Sequence, residues 1–301
     1  MRAQVRWDER MKESTLAGTN RRKAYSTDLT DYQWECVKEY VTVRGKVGAP
    51  TTTNLREVLN AILYLVRNGC TWQDLPEGFP PKSTVFYYFK KWERDGTWQR
   101  ILDALRERVR VEAEPMPRQP TPSAACVDSC SAKVVAQAGE AVDTDGGKNV
   151  KGRKRHILVD TLGLLIAIVV TAANISDAQG AILLFDQLSR TQLPRLRVVF
   201  ADNAYNRTIL KDDYMPDHCW FRLEIRNKPE GVKGFVPIPI RWVVERTFAW
   251  ALRYRRLARD YEHTPESSAT VFRVSMIHLM LKRLRPRYHT NASEAAMPKA
   301  A

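Results

Sequence analysis

Apolar residues in the first third of the chain recur at the spacing of an α-helix. In residues 53–72, TNLREVLNAILYLVRNGCTW, the apolar side chains of one face are Leu55, Leu59, Ile62, Leu63 and Val66. Asn54 stands just before this pattern and Gly69 just after it, and these residue types commonly begin and end helices. The segment therefore predicts one amphipathic helix with a buried face.

A second helical pattern follows a turn rich in proline and glycine. Ser83 takes the capping position, and the apolar stripe consists of Val85, Phe86, Phe89 and Trp92. Cations accompany this stripe at Lys82, Lys90, Lys91 and Arg94. Two helices of this kind suit a helix-turn-helix motif, which inserts its second helix in the major groove of DNA. A helical bundle with a solvated basic face fits these residues equally well.

The pattern changes to that of strands beyond a proline-rich segment, EAEPMPRQPTPSAA, at residues 112–125. Strand signatures rich in β-branched residues are AACVD, RHILVDTLG, LLIAIVVTAA and LRVVFAD, and DAQGAILLFDQLS is typical of a helix before the last of them. Residues 160–163 have turn chemistry, so the strands on either side should pair as an antiparallel hairpin. The predicted class is α/β, with a mixed sheet and helices packed on it.

Composition and charge narrow the class of partner. The chain has 301 residues, enough for two domains, and its formal net charge of +14 favours a polyanion, with nucleic acid first. The longest apolar run, LGLLIAIVV at 162–170, is too short to span a membrane. Residues 1–26 lack the apolar core of a secretory signal. We therefore expect a cytoplasmic protein with no membrane partner.

The five cysteines form no CxxC pair, and their odd number argues against a disulfide framework. The alternative is a zinc site built from Cys126, Cys130, His218 and Cys219, although these spacings match no zinc-finger pattern. The sequence thus favours reduced, structural thiols.

Carboxylates occur at two strand ends and on one basic helix. Asp128 and Asp202 directly follow apolar strand runs, where a charge is costly unless it has a partner or binds a cation. Glu245 is the mid-segment carboxylate of the arginine-rich stretch 238–261. An ion pair with Arg241, four residues earlier, explains Glu245 structurally. Together the three carboxylates form an oxygen ligand set that suits Mg²⁺ or Mn²⁺.

Cations that could contact DNA phosphates are concentrated in the loop GGKNVKGRKRH at residues 146–156. The candidates in this loop are Lys148, Lys151, Arg153, Lys154 and Arg155. Further candidates on the predicted helices are Lys82, Lys90, Lys91, Arg241, Arg246 and Arg253. A solvated charge run is the alternative for the loop, and arginine stems packed on tryptophans are the alternative for the last helix.

Residues from about 25 to 286 resemble bacterial DDE transposases of the insertion sequence 5 family. The match is densest in KNVKGRKRHILVDTLGLL and in VKGFVPIPIRWVVERTFAWALRYRRLARDYEHTPESS. The resemblance implies a ribonuclease-H-like catalytic domain with Asp128, Asp202 and Glu245 as its three acidic catalytic and metal-binding residues. Such a site performs phosphoryl transfer with two Mg²⁺ or Mn²⁺ ions.

The function implied by the resemblance is that of a DNA transposase, which binds the terminal inverted repeats of its element and cleaves and joins strands with divalent metal. The implied partners are double-stranded DNA, as element ends and as target, and further copies of the chain in a homodimer or higher oligomer. In a bacterium the protein would be cytoplasmic and associated with the nucleoid when bound to DNA. Two alternatives stay open: a metal-dependent nuclease of the same fold that does not join strands, and a non-catalytic DNA-binding regulator.

Five segments follow from these patterns. They are a mobile basic tail at 1–24, a helical, helix-turn-helix-like DNA-binding domain at 25–111, a proline-rich linker at 112–123, the ribonuclease-H-like catalytic domain at 124–286 and a flexible tail at 287–301. The helical domain is expected to recognise the element ends, and the sheet domain is expected to carry the chemistry.

Overall fold

The computed structural model describes residues 22–42, 52–135, 139–226 and 239–284, and of residues 239–241 the backbone alone. The tails expected at 1–24 and 287–301 therefore lie almost wholly outside the described residues, and so does the side chain of Arg241. Within the described part, no helix is long and apolar enough to cross a membrane.

Five helices precede the sheet in the described part: α1 (Asp31–Glu35), α2 (Lys38–Val41), α3 (Leu55–Asn68), α4 (Lys82–Arg94) and α5 (Thr97–Val111). Helix α3 matches its sequence prediction at both ends. The Asn54 side chain accepts hydrogen bonds from the N–H groups of Arg56 and Glu57, at 3.1 and 3.2 Å. Gly69 ends the helix in the left-handed region, with φ of 75°.

Helix α4 begins two residues earlier than a cap at Ser83 would place it. Pro81 occupies the position before its first turn, and no side chain caps the helix there, so the expectation that Ser83 caps it is wrong. Of the predicted apolar stripe, Val85, Phe89 and Trp92 are buried, whereas Phe86 is 45% exposed. The stripe therefore packs mainly inwards, as its helical spacing requires.

Among the residues that the structure describes, six strands form one sheet: β1 (Ala124–Lys133), β2 (Asp143–Asp145), β3 (Val150–Asp160), β4 (Leu165–Ala172), β5 (Val198–Ala201) and β6 (Arg222–Ile225). Strand β3 pairs antiparallel with β1, β2 and β4, which confirms the predicted hairpin at residues 160–163. Strand β5 runs parallel to β1, and β6 parallel to β5. This mixed sheet is consistent with the ribonuclease-H-like fold that the resemblance implies.

Helices cover both faces of the sheet: α6 (Asp177–Phe185), α7 (Met215–His218), α8 (Pro239–Ala251) and α9 (Pro265–Arg283). Because side chains alternate along a strand, neighbouring residues of β1 serve different cores. Cys126 belongs to the core that contains Val243 and Val244 of α8. Ala125 and Val127 belong to a second core, which contains residues of α6.

The N-terminal helices pack into the first of these cores. Ile62 of α3 and Phe89 of α4 lie in one cluster with Ile157 of the sheet and Phe272 of α9. The proline-rich segment thus separates two parts of the sequence, but the helices before it and the sheet after it share one hydrophobic core. The helix-turn-helix stays a prediction, because residues 69–81 join α3 to α4 and the turn of that motif spans about three or four residues.

Candidate active site and nucleic-acid interface

Asp128 of β1 aligns with Asp202, the residue directly after the neighbouring parallel strand β5. The register pairs Cys126 of β1 with Phe200 of β5, and each aspartate follows two residues later. Both carboxylates are half-buried, and side-chain alternation places them on the face of the sheet that α8 covers. Strand β5 ends at Ala201, so both aspartates lie just beyond the point where pairing between these strands stops.

The two aspartates are ordered by nearby backbone groups. One oxygen of Asp128 accepts a hydrogen bond from the N–H of Ser129 at 2.7 Å. One oxygen of Asp202 accepts from the N–H of Ala204 at 2.8 Å and so caps the short 3₁₀ turn at 203–205. The sequence suggested that Asp128 follows its strand, but β1 continues to Lys133, so this carboxylate lies within the strand.

Glu245 lies on the helix that packs over these aspartates. Helix α8 is fixed against the sheet by Val243 and Val244 in the core, and by Thr247, whose hydroxyl donates to the Gly163 carbonyl at 2.9 Å. Glu245 itself is exposed. Among the described residues, no three histidine, cysteine, aspartate or glutamate side chains are grouped closely enough to hold a metal ion.

The residues present fit a hard divalent metal ion in part. Two aspartates on adjacent strands supply the charged oxygen donors that Mg²⁺ and Mn²⁺ prefer. Glu245 lies on the element expected of a third donor, but the three carboxylates do not converge in the described structure.

The zinc alternative is not supported by the positions of the cysteines. Cys126 packs in the core beneath α8, whereas Cys219 packs against the core on the other face of the sheet. Burial also raises the pKa of the Cys126 thiol to about 12, and zinc binds the thiolate. We therefore regard these residues as structural thiols.

The basic loop divides into exposed and buried cations. Lys148 and Lys151 are exposed, but Arg153, Lys154 and Arg155 are buried. A buried side chain cannot reach a phosphate, so the assignment of these three residues to DNA contact is corrected. The physical reason is that β3 pairs on both edges and is covered on both faces, so its side chains beyond Lys151 are enclosed.

The two buried arginines hold distant segments together. The Arg153 guanidinium lies 3.2 Å from Asp260 and donates to the backbone carbonyls of Glu140, Glu262 and His263 at 2.6, 2.7 and 2.8 Å. Arg155 donates to the Leu257 carbonyl at 2.9 Å, and its desolvation lowers its pKa. Both side chains thus tie β3 to the segment between α8 and α9.

The cations of α4 also differ in their surroundings. Lys82 is exposed and hydrogen-bonds the Gln73 side chain, and Lys91 lies 5.6 Å from the centre of the Tyr88 ring. Lys90 pairs with Glu93 and donates to the Ser267 hydroxyl of α9 at 2.9 Å. Lys90 therefore joins two helices, whereas Lys82 and Lys91 are better placed to meet a phosphate.

Arg246 and Arg253, two candidates from the arginine-rich stretch 238–261, differ in how far they are exposed. The Arg246 guanidinium lies between the rings of Trp242 and Trp250, 4.7 Å from each ring centre, and desolvation lowers its pKa. It also donates to the Leu162 carbonyl at 3.4 Å. Arg253 is exposed just beyond the end of α8. Arg246 therefore packs on tryptophans, as the alternative to DNA contact proposed, whereas Arg253 is accessible to a phosphate.

Sequence patterns did not indicate a polar cluster on the opposite face of β1. It joins Ser129, Ser131, Asp145, Lys154 and Asp177, and Tyr205 is buried close by. Hydrogen bonding from Ser131 is the main cause that lowers the pKa of Asp145. Burial raises the pKa of Tyr205 well above its ordinary value. The signal that could have revealed the cluster is the alternation of serines with Asp128 along β1.

Two family models match the chain, one after the other along the sequence. Residues 29–102 match a model described as a putative transposase of the IS4/5 family. Residues 119–280 match the transposase DDE domain. The second match covers more than half of the chain and includes all three carboxylates of the candidate site.

Two curated proteins are similar to parts of the chain. A putative transposase for insertion sequence element IS402 from Burkholderia cepacia is 32% identical over 121 residues, which is 37% of this chain and 54% of that protein. An uncharacterized protein, y4sN, from Sinorhizobium fredii is 34% identical over 86 residues, which is 28% of this chain and 67% of that protein. The match thus spans about half the length of the first relative.

Among solved structures, the chain is similar to a piggyBac transposase in a synaptic complex with hairpin DNA, determined by cryo-EM. The two are 10% identical, with a TM-score of 0.30, over 69% of this chain and 51% of that chain. A TM-score this low supports no argument about shared geometry.

Proposed function

The chain belongs to the transposase DDE-domain family, and we propose from this premise that it is a DNA transposase that cleaves and joins DNA strands with divalent metal. The observation that carries the proposal is the alignment of Asp128 on β1 with Asp202, the residue directly after the neighbouring parallel strand β5. Two half-buried carboxylates on neighbouring segments are costly unless a cation or hydrogen bonds offset their repulsion.

The proposed catalytic and metal-binding residues are Asp128, Asp202 and Glu245. Backbone N–H groups of Ser129 and Ala204 hold one oxygen of each aspartate in place. Glu245 would complete the set from α8, and the exposure of its side chain leaves room for the rotation this requires. Mg²⁺ or Mn²⁺, when bound, supplies activation of the attacking hydroxyl and stabilisation of the leaving oxygen.

DNA contact in this proposal rests on exposed cations. The exposed candidates are Lys82, Lys148, Lys151 and Arg253, and Lys91 is partly exposed. Arg241 stays a candidate, with its side chain outside the described residues. The net charge of +14 supports a polyanionic partner. Specific binding of terminal inverted repeats, and assembly of two or more copies on paired ends, belong to the same proposal.

The test is a strand-transfer assay with purified protein, a labelled element end that carries a pre-cut 3′-hydroxyl, and a plasmid target. A transposase joins the labelled end to the plasmid when Mg²⁺ or Mn²⁺ is present. A nuclease of the same fold cuts DNA and yields no joined product. A regulator binds the end and yields neither product, an outcome that would refute the proposal.

A further inference from the structure

Strand β1 carries two serines on the face opposite Asp128. The hydroxyl of Ser129 donates to Asp177 at 2.6 Å, and the hydroxyl of Ser131 donates to Asp145. Asp177 is the first residue of α6, and Asp145 is the last residue of β2. Alternate residues of one strand are therefore anchored to two carboxylates from different elements.

A single buried lysine lies between these two carboxylates. The Lys154 ammonium is 3.4 Å from Asp177 and 3.9 Å from Asp145, and it donates to the Ile175 carbonyl at 2.9 Å. Its side chain is 9% exposed. Asp145 is as buried as Lys154, whereas the Asp177 side chain is 25% exposed. Two carboxylates around one buried lysine are favourable only while the positive charge stays in place. Removing that charge would leave the buried Asp145 carboxylate without its cation and beside the negative charge of Asp177.

The cluster reaches the proposed active site through Ser129. Its side chain is held by Asp177, and its backbone N–H holds an oxygen of Asp128 at 2.7 Å. The cluster also reaches the basic loop, because the second oxygen of Asp145 accepts from the N–H groups of Gly147 and Lys148 at 3.0 and 3.2 Å. One network of charges and hydrogen bonds thus connects the loop at Lys148 with the strand that carries Asp128.

We propose that Lys154 is a positioning residue for Asp128, acting through the carboxylates of Asp145 and Asp177 and the two serines of β1. This inference rests on the proposed function, since it assigns Asp128 to the reaction. Lys154 neutralises the two carboxylates, which keeps both serines anchored and fixes the backbone that orients Asp128. Asp145 links the same network to the loop, so the placement of the loop and of Asp128 depend on one another.

The test compares three lysine variants in the full chain. Lys154→Met keeps the length of the buried side chain and removes its charge, and Lys154→Arg restores a charge. Lys133→Met is the matched control, because Lys133 is an exposed lysine at the end of the same strand β1. Each protein is assayed for strand cleavage at saturating DNA over a range of Mn²⁺ concentrations, and for the rise in Tm caused by Mn²⁺ without DNA.

For Lys154→Met we expect cleavage at saturating DNA to fall at least tenfold, and half-maximal cleavage to need several times more Mn²⁺. The Mn²⁺-dependent rise in Tm should shrink in parallel. Lys154→Arg should recover part of each loss, and Lys133→Met should behave as the wild type. A merely structural lysine would lower Tm in Lys154→Met and leave both metal responses unchanged, a result that overturns the inference.

Binding titrations separate positioning from phosphate contact. Each lost phosphate contact reduces the magnitude of the negative slope of log affinity against log salt by about 0.9, so that binding depends less steeply on salt. We expect that slope to be unchanged in Lys154→Met, and a shallower slope would overturn the inference. If Lys154→Met does not fold, Ser129→Ala replaces it, since this change removes only the hydroxyl that reaches Asp177. A wild type that never cleaves DNA refutes the proposed function instead, while the Tm responses still decide the role of Lys154.

Discussion

Asp202, the first residue after β5, aligns with Asp128 of the neighbouring parallel strand β1, because each lies two residues after one member of the pair Cys126 and Phe200. The register of β1 and β5 sets this alignment. The sheet fixes the backbone of Asp128, whereas Asp202 lies where β5 passes into the 3₁₀ turn at 203–205, and its side chain caps that turn. The third carboxylate, Glu245, belongs to a helix and is less constrained.

Glu245→Gln should abolish metal-dependent cleavage and change the free energy of unfolding by no more than about 0.5 kcal/mol, because the side chain is exposed. The measurement is a Mg²⁺ titration of strand cleavage together with chemical denaturation. Glu107→Gln, at an exposed position of α5, is the matched control and should cleave normally. Near-normal cleavage by Glu245→Gln would return Glu245 to the role of an ordinary helix residue.

The salt dependence of DNA binding should distinguish neighbouring lysines of α4. Lys91→Ala should make the negative slope of log affinity against log salt shallower by about 0.9, as the loss of one phosphate contact does. Lys90→Ala should leave the slope unchanged and reduce stability by about 1 kcal/mol, because Lys90 is engaged with Glu93 and Ser267. Equal slopes for both variants and the wild type would remove Lys91 from the DNA interface.

Local features of the fold could be predicted from the sequence. Helix α3 was recognisable because its signals are local: periodic apolar residues, Asn54 as the cap and Gly69 as the stop. The β3–β4 hairpin was recognisable for a similar reason, since Asp160 and Gly163 form its turn within a few residues. There one Asp160 oxygen accepts from the N–H groups of Leu162 and Leu164, each at 2.9 Å.

The partners of charged residues could not be predicted in the same way. In the basic loop, the run from Arg153 to Arg155 has the composition of a phosphate-binding surface. Its burial depends on partners far away in sequence, such as Asp260 for Arg153 and Asp177 for Lys154. For the site, the sequence placed Asp202 correctly after its strand but missed that β1 continues past Asp128 to Lys133. The cluster behind Asp128 required the β1–β3 register, which pairs Ser131 with Lys154.

Ile62→Ala should destabilise the sheet as well as the N-terminal helices, because Ile62 is fully buried in the core they share. We expect a loss of about 2–5 kcal/mol. Hydrogen exchange of β4 amides and tryptophan fluorescence should report the same loss, while the exposed Ile209→Ala should stay within about 0.5 kcal/mol of wild type. Unchanged exchange in β4 would show that the two parts unfold independently.

Stability should decrease as the pH falls below about 6.5, in part because of His278. Burial, with the nearby charges of Lys282 and Arg67, lowers the pKa of His278 to about 3. As the pH falls through about 6.5, the unfolded chain therefore binds a proton at this histidine and the folded chain does not. The free energy of unfolding falls by up to about 2 kcal/mol between pH 7 and pH 5 as a result.

His278→Phe tests this dependence, because it keeps a ring against Tyr254 and cannot titrate. Denaturant unfolding at pH 7 and pH 5 should show a smaller loss of stability in this variant than in the wild type. The exposed His218→Phe is the matched control. An identical pH dependence in His278→Phe and wild type would contradict the assignment.

The central claim, that Asp128 and Asp202 hold the catalytic metal, is tested most directly by measuring Mg²⁺-dependent cleavage in Asp128→Asn and Asp202→Asn beside DNA affinity. Asparagine keeps the shape of aspartate and removes the charge that binds the ion. We expect cleavage to fall by at least about a hundredfold in both variants, with DNA affinity close to that of the wild type. Asp143→Asn, at an exposed position of β2, should cleave normally. Substantial Mg²⁺-dependent cleavage by either Asp128→Asn or Asp202→Asn would contradict the claim.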